Sequence, residues 1–180
     1  MDDNPALRAA CAESEEVHAL YIYSKNQMKL HNEAGCKVEF MIANLKSLEK
    51  SLNEFNIPLT IINSDGINMD PSLILNLMNE RSITSIYCNK QFGVDEESRD
   101  AKVKELLEIK NINYYSYDAQ VLFPPGTFKT GEGKPYSVFT PFKKRWVQNF
   151  NIDLLDIEFK YMPKTKTDIS SNIDTFDFSF

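Results

Sequence analysis

Two groups of side chains with acid–base chemistry follow apolar segments of the sequence, where loops are expected to begin. His31 lies in Leu30-His31-Asn32-Glu33, and Asp95-Glu96-Glu97 follows the apolar segment that ends at Cys88. An imidazole exchanges protons near neutral pH, and carboxylates accept hydrogen bonds from N–H donors. A single histidine in a loop is more often solvated, and acids at the start of a helix are stabilised by its dipole. Structural roles therefore compete with ligand binding at both places.

A third candidate is the basic run Lys143-Lys144-Arg145 beside Trp146, the only tryptophan. Three charges on a helix usually form a solvated face, and contact with a phosphate is the alternative. The sequence has no glycine-rich dinucleotide fingerprint, P-loop, zinc-ligand spacing or nucleophile elbow. We therefore predict no catalytic residue and no metal site, and spacing alone indicates only a flavodoxin-like or Rossmann-like ligand-binding domain.

The elements that must position these residues alternate between strand and helix. This alternation predicts an α/β fold, a Rossmann-like or flavodoxin-like doubly wound parallel sheet. His31 and Asp95-Glu96 follow different strands, so both can line the crevice at the carboxyl edge of one sheet. Strands are predicted at Val17–Tyr23, Ile57–Ile62, Ile83–Cys88 and Asn113–Tyr117, and helices at Pro5–Ala12, Lys37–Phe55, Pro71–Met78, Glu96–Ile109 and Phe139–Phe150.

The order of the elements is unusual because a helix comes first. Doubly wound sheets normally begin with a strand that becomes central, so we expect four of the usual five strands, with the first central strand missing. Beyond the fourth strand, Leu122–Tyr136 is a loop rich in proline and glycine. We predict one domain over residues 1–150 and a linker over residues 151–180.

Composition narrows the class of protein. The chain has 180 residues, of which 42% are hydrophobic and 26% charged, which is typical of a soluble globular protein. The net charge of −6 gives no general electrostatic reason to bind DNA or an anionic membrane. No apolar run is long enough to span a bilayer, and the start has no secretory signal. The three cysteines form no CxxC pair, which favours reduced thiols and a cytoplasmic protein.

Several longer strings resemble the N-terminal domain of DNA photolyases and cryptochromes. The resemblance runs from Asp2 to about Trp146 without large gaps and is strongest to the bacterial cyclobutane-pyrimidine-dimer photolyases. The strings are Asp3-Asn4-Pro5-Ala6-Leu7, Tyr87-Cys88-Asn89-Lys90-Gln91-Phe92-Gly93-Val94-Asp95-Glu96, Arg99-Asp100, Leu122-Phe123-Pro124-Pro125-Gly126, Thr130-Gly131, and Tyr136-Ser137-Val138-Phe139-Thr140-Pro141-Phe142 followed by Trp146.

The resemblance implies a specific function for the candidate residues. In that family this domain is a five-stranded parallel α/β sheet that holds an antenna chromophore, commonly 5,10-methenyltetrahydrofolate and less often a deazaflavin. The antenna passes excitation to FAD in a second, helical domain, and the reduced flavin gives an electron to the thymine dimer. His31, Asp95 (where an Asn is common) and Glu96 match positions that contact the folate.

The sequence also departs from the family pattern at both ends. A Trp-Phe-Arg-Arg-Asp-Leu-Arg-like strand and turn normally precedes Asp-Asn-Pro-Ala-Leu and is absent here, as is the FAD domain. We therefore expect a fragment that is inactive in repair on its own and makes no direct DNA contact. Its expected partners are the antenna chromophore and, if another chain supplies one, an FAD domain. The alternatives are a non-functional gene remnant, with a slot between its first and third strands, and a cryptochrome-like folate-binding or signalling module.

Overall fold

The computed structural model describes residues 3–64, 71–154, 161 and 164–179. The alternation of helix and strand is confirmed, and most boundaries lie within two residues of the prediction. The helices are α1 (Pro5–Glu13), α2 (Lys25–Leu30), α3 (Gly35–Asn53), α4 (Pro71–Glu80), α5 (Val94–Ile109) and α6 (Phe139–Asn149), and the strands are β1 (Ala19–Tyr23), β2 (Leu59–Asn63), β3 (Ser85–Asn89) and β4 (Asn113–Tyr117).

The strands form two parallel pairs. β1 pairs with β2 from Ala19 opposite Leu59, and β3 pairs with β4 from Ser85 opposite Asn113. The predicted α/β class with parallel strands is thus confirmed. In the described part of the chain no ladder of hydrogen bonds joins β1 to β3. The break lies at the place where the sequence predicts that the central strand is absent.

Side chains nevertheless pack across the break. Ile22 of β1 contacts the apolar cluster around β3 and β4, and Tyr87 of β3 contacts the larger cluster around β1 and β2. The Tyr87 hydroxyl donates to Glu13 Oε2 of α1 at 2.7 Å. Burial and this bond raise the pKa of Tyr87 to about 12. The helix before β1 and the strand after the break are therefore held together.

Residues 164–179, which the sequence predicts as part of a linker, lie along the outer edge of β2, and we call them the C-terminal strap. The Asn172 side chain accepts from the Ile61 N–H at 2.7 Å and donates to the Ile61 carbonyl at 2.9 Å. Ile173 is only 4% exposed. The rings of Phe176 and Phe178 pack edge-on against Tyr23, with centroids 5.8 and 5.5 Å away. The strap covers an edge that would otherwise present unpaired backbone groups.

His18 makes the fold sensitive to acid. Burial, together with the positive charge of Arg81, lowers the pKa of His18 below its ordinary value of 6.5, although Glu16 opposes the shift. The unfolded chain therefore binds a proton at a higher pH than the folded chain does. Stability from this group is present above about pH 6.5 and is lost as the pH falls from there through the folded pKa.

We expect the thermal midpoint of His18→Gln to fall less than that of the parent protein as the pH is lowered from about 6.5. Thermal melts at a series of pH values measure this dependence. The same dependence of the midpoint on pH in both proteins would show that His18 is not the source of the acid sensitivity.

Candidate functional site

Two of the family-like strings meet at the carboxyl end of β3. Asn4 caps α1, its Oδ1 accepting from the Leu7 N–H at 3.0 Å. The same oxygen accepts from Asn89 Nδ2 at 2.9 Å, and Asn89 Oδ1 accepts from the Ala6 N–H at 3.2 Å. The last residue of β3 therefore helps to close the first turn of α1. Sequence reasoning predicted the Asn4 cap but missed Asn89, whose only signal is an amide at the end of a strand.

Removing the Asn89 amide is expected to loosen this junction. Asn89→Ala deletes one acceptor and one donor, whereas Asn4 can still cap Leu7. We expect the free energy of unfolding to fall by about 1–2 kcal/mol, in the range for a lost capping interaction. Urea unfolding measures this change, and Asn44→Ala on the exposed face of α3 is the control. Equal effects of the two substitutions would show that Asn89 has no special part in the junction.

Glu96 lies in the first turn of α5, immediately beyond Gly93. A β-carbon placed on Gly93 would lie 1.9 Å from Glu96 Oε2, so the glycine leaves the space in which this carboxylate sits. Asp95 and Glu97 share the same turn and are exposed, whereas Glu96 is half-buried. Acidic side chains are common in the first turn of a helix, where they face the positive end of its dipole. The turn thus presents hydrogen-bond acceptors at the carboxyl edge of β3 and β4.

Ion pairs border this turn. Lys90 Nζ lies 2.9 Å from Asp118 Oδ2, joining the segments that follow β3 and β4. The Arg99 guanidinium contacts Asp100 Oδ1 at 2.7 Å and Gln91 Oε1 at 3.0 Å. The Arg99–Gln91 contact links α5 to the loop that precedes it, and the Lys90–Asp118 pair links that loop to the segment after β4.

His31 ends the short helix α2, which sequence reasoning missed. Ser24 caps that helix by accepting from the Gln27 N–H at 3.2 Å, and the His31 N–H donates to the Gln27 carbonyl at 3.0 Å. The His31 side chain is exposed. Among the described residues no hydrogen bond or ion pair joins His31 to Asp95 or Glu96. His31 is placed by α2, and Asp95 and Glu96 are both placed by α5, so the joint role of the three residues in binding stays a prediction.

The loop and helix after β4 form an aromatic cluster. Phe123 contacts Trp146 and Phe128 with ring centroids 5.5 and 4.8 Å apart, and Phe142 reaches Phe128 at 6.2 Å. The family-like strings of this region therefore pack on one another. Lys143, Lys144 and Arg145 are exposed and form no ion pair with a described residue.

The model of the DNA photolyase family matches residues 1–164. The chain belongs to the DNA photolyase family. It is 36% identical over 149 residues to the deoxyribodipyrimidine photo-lyase of Escherichia coli, covering 82% of this chain and 31% of that protein. It is 28% identical over 174 residues to the deoxyribodipyrimidine photo-lyase of Neurospora crassa, covering 91% of this chain and 28% of that one.

Solved photolyase structures share the fold. A bacterial class III photolyase from Agrobacterium tumefaciens superimposes with a TM-score of 0.73 at 21% identity, covering 97% of this chain and 35% of that chain. An archaeal photolyase from Sulfolobus tokodaii, described with two FAD molecules that imply a novel light-harvesting cofactor, superimposes with a TM-score of 0.69 at 21% identity, covering 97% of this chain and 37% of that chain. The chain spans about a third of the length of these photolyases. No described helix is both long and apolar enough to cross a membrane.

Proposed function

We propose that this chain binds the antenna chromophore of a deoxyribodipyrimidine photolyase, with 5,10-methenyltetrahydrofolate as the ligand and a deazaflavin as the alternative. The observation that carries the proposal is the Glu96 carboxylate, half-buried over Gly93 at the start of α5. Membership of the DNA photolyase family supports the proposal, because the N-terminal domain of that family is expected to hold the antenna. The S. tokodaii photolyase, described with two FAD molecules that imply a novel light-harvesting cofactor, suggests that the identity of the antenna differs among photolyases, which is why the deazaflavin is kept as an alternative.

The chemistry of the three residues suits a pterin. Its amino group and ring N–H are donors, and the two oxygens of Glu96 can accept both. Asp95 adds a second, exposed carboxylate on the same turn, and the exposed His31 at the end of α2 supplies a ring that can donate or stack. A bound antenna absorbs near-ultraviolet or blue light and passes the excitation on. The chain's own residues bind and orient it.

We do not expect these residues to carry out the repair of pyrimidine dimers themselves. We propose that the flavin chemistry belongs to an FAD domain outside these 180 residues, and that these residues make no direct contact with DNA. Their net charge of −6 supports the second point. Three unpaired cysteines, of which Cys11 is buried, support a reducing cytoplasmic location.

A folate titration tests the binding proposal. Added 5,10-methenyltetrahydrofolate is expected to give a saturable complex that absorbs in the near ultraviolet. Glu96→Gln is expected to weaken binding about tenfold or more, because it removes a charge-assisted hydrogen bond. Glu97→Gln is the matched control, since it removes an exposed charge from the same helical turn. Failure of the parent chain to bind, or equal losses in both variants, would overturn the proposal.

A repair assay tests whether these residues can repair DNA without an FAD domain. The purified chain, mixed with FAD and the folate, is expected to leave pyrimidine dimers in DNA unchanged under blue light. The E. coli photo-lyase serves as the positive control for the dimer substrate and the lamp. Measurable reversal by this chain alone would contradict the need for a separate FAD domain.

A further inference from the structure

A pocket separate from the candidate antenna site lies at the carboxyl edge of β1 and β2, on the side covered by the C-terminal strap. Its volume is about 230 Å³. Tyr23, Lys25 and Ser64 line it from the ends of the two strands, and Phe176 and Ser179 line it from the strap. Open α/β sheets bind ligands beyond the carboxyl ends of their strands. The pocket therefore lies where this architecture favours a ligand, and it uses none of the residues proposed for the antenna.

Ser64 is the first sign that the pocket takes a ligand. The residue is 1% exposed, and its backbone N–H donates to the Tyr23 carbonyl at 2.8 Å. Its Oγ is buried and has no hydrogen-bond partner in the described part of the chain. A buried hydroxyl without a partner is destabilising unless a ligand or water meets it. The lining of the pocket therefore includes a hydroxyl whose hydrogen-bonding capacity the described residues leave unused.

The other polar groups show which kind of ligand fits. The Tyr23 hydroxyl is already used, since it lies 3.2 Å from the Phe178 carbonyl and 3.3 Å from the Ser179 carbonyl. Lys25 Nζ makes one long contact, 3.4 Å to Ser179 Oγ, and so keeps donors for a further partner. Asp177 also lines the pocket, but its Oδ1 accepts from the Ser179 N–H at 2.9 Å. The Ser64 hydroxyl and the Lys25 ammonium therefore keep donors for a ligand, beside one Asp177 oxygen that is occupied within the strap.

We infer that this pocket binds a small oxyanion, a phosphate or a carboxylate, through the Ser64 hydroxyl and the Lys25 ammonium. In this arrangement the ligand accepts a hydrogen bond from Ser64 Oγ, and the Lys25 ammonium supplies the opposite charge. The rings of Tyr23 and Phe176 leave apolar walls for a small organic body. The volume is below that of pockets for drug-sized ligands, which restricts the occupant to a small molecule.

Titration calorimetry with two probes tests the inference and separates the two sources of an oxyanion. Inorganic phosphate and benzoate are each added to the full chain at constant ionic strength, and saturable one-site binding of at least one is expected. Lys25→Met is expected to weaken that binding about tenfold or more, since it removes a charge-assisted bond. Lys29→Met removes an exposed charge from the same helix and is expected to leave the affinity unchanged.

Two further variants keep the result interpretable. Ser64→Ala is expected to lower the affinity while keeping the thermal transition of the parent, because the lost hydroxyl has no partner among the described residues. Glu96→Gln is expected to bind the anion as the parent does, so failure of the antenna proposal leaves this one intact. Saturable binding of neither probe, or equal losses in Lys25→Met and Lys29→Met, would overturn the inference.

Discussion

Leu107→Ala is expected to lower the free energy of unfolding by about 2–5 kcal/mol, in the range for truncating a fully buried leucine. Leu107 is 1% exposed and packs with Ile74, Met78 and Val103 between α4, α5 and the second strand pair. Ile22 of β1 also contacts this cluster. A cavity here therefore weakens both the helix packing and the contact across the break between β1 and β3.

Urea unfolding followed by circular dichroism measures this loss. Ile109→Ala is the matched control, since Ile109 lies two residues further along the same helix and is 69% exposed. We expect the control to change the free energy of unfolding by less than about 0.5 kcal/mol. A loss of similar size in both variants would show that the second cluster is not a specific core, and that the two strand pairs are not coupled through it.

Local patterns were enough to predict most of the fold. Apolar residues at helical spacing identified α3 and α5, and short β-branched and aromatic segments identified the four strands, because each element buries one face or both. The helix that begins at Pro5 followed from its Asn4 cap, which the structure confirms. These are contacts within an element, which the sequence displays directly.

Contacts between distant segments were not predictable in the same way. Asn172 bonds to Ile61 across 111 residues, and Asn89 bonds to Ala6 across 83. Nothing in the weakly periodic sequence of the strap marks Asn172 as a partner for a strand edge. The six-residue helix α2 is too short to show a periodic face, and only its Ser24 cap signals it. At the candidate site, the types of His31, Asp95 and Glu96 were visible, but the closeness of Glu96 to Gly93 was not.

Asn172→Ala is expected to destabilise the protein by about 2–4 kcal/mol, because it leaves two backbone groups of a buried strand without partners. Ile61 is 2% exposed, and its N–H and carbonyl on this edge both bond to the Asn172 amide. The opposite edge of β2 is occupied by β1. The lost bonds can therefore be replaced only by water entering between the strap and the strand, which would also expose Ile173.

Hydrogen exchange gives this prediction a signature that general destabilisation lacks. In Asn172→Ala the Ile61 amide is expected to lose protection far more than Val103 in α5, since the strap opens before the molecule unfolds. Asn149→Ala is the matched control, because its amide donates only to the Arg145 carbonyl on the exposed face of α6. Unchanged protection of Ile61 would mean that the strap does not seal this edge. A selective loss would identify residues 164–179 as part of the folded domain, which the sequence predicts to end near residue 150.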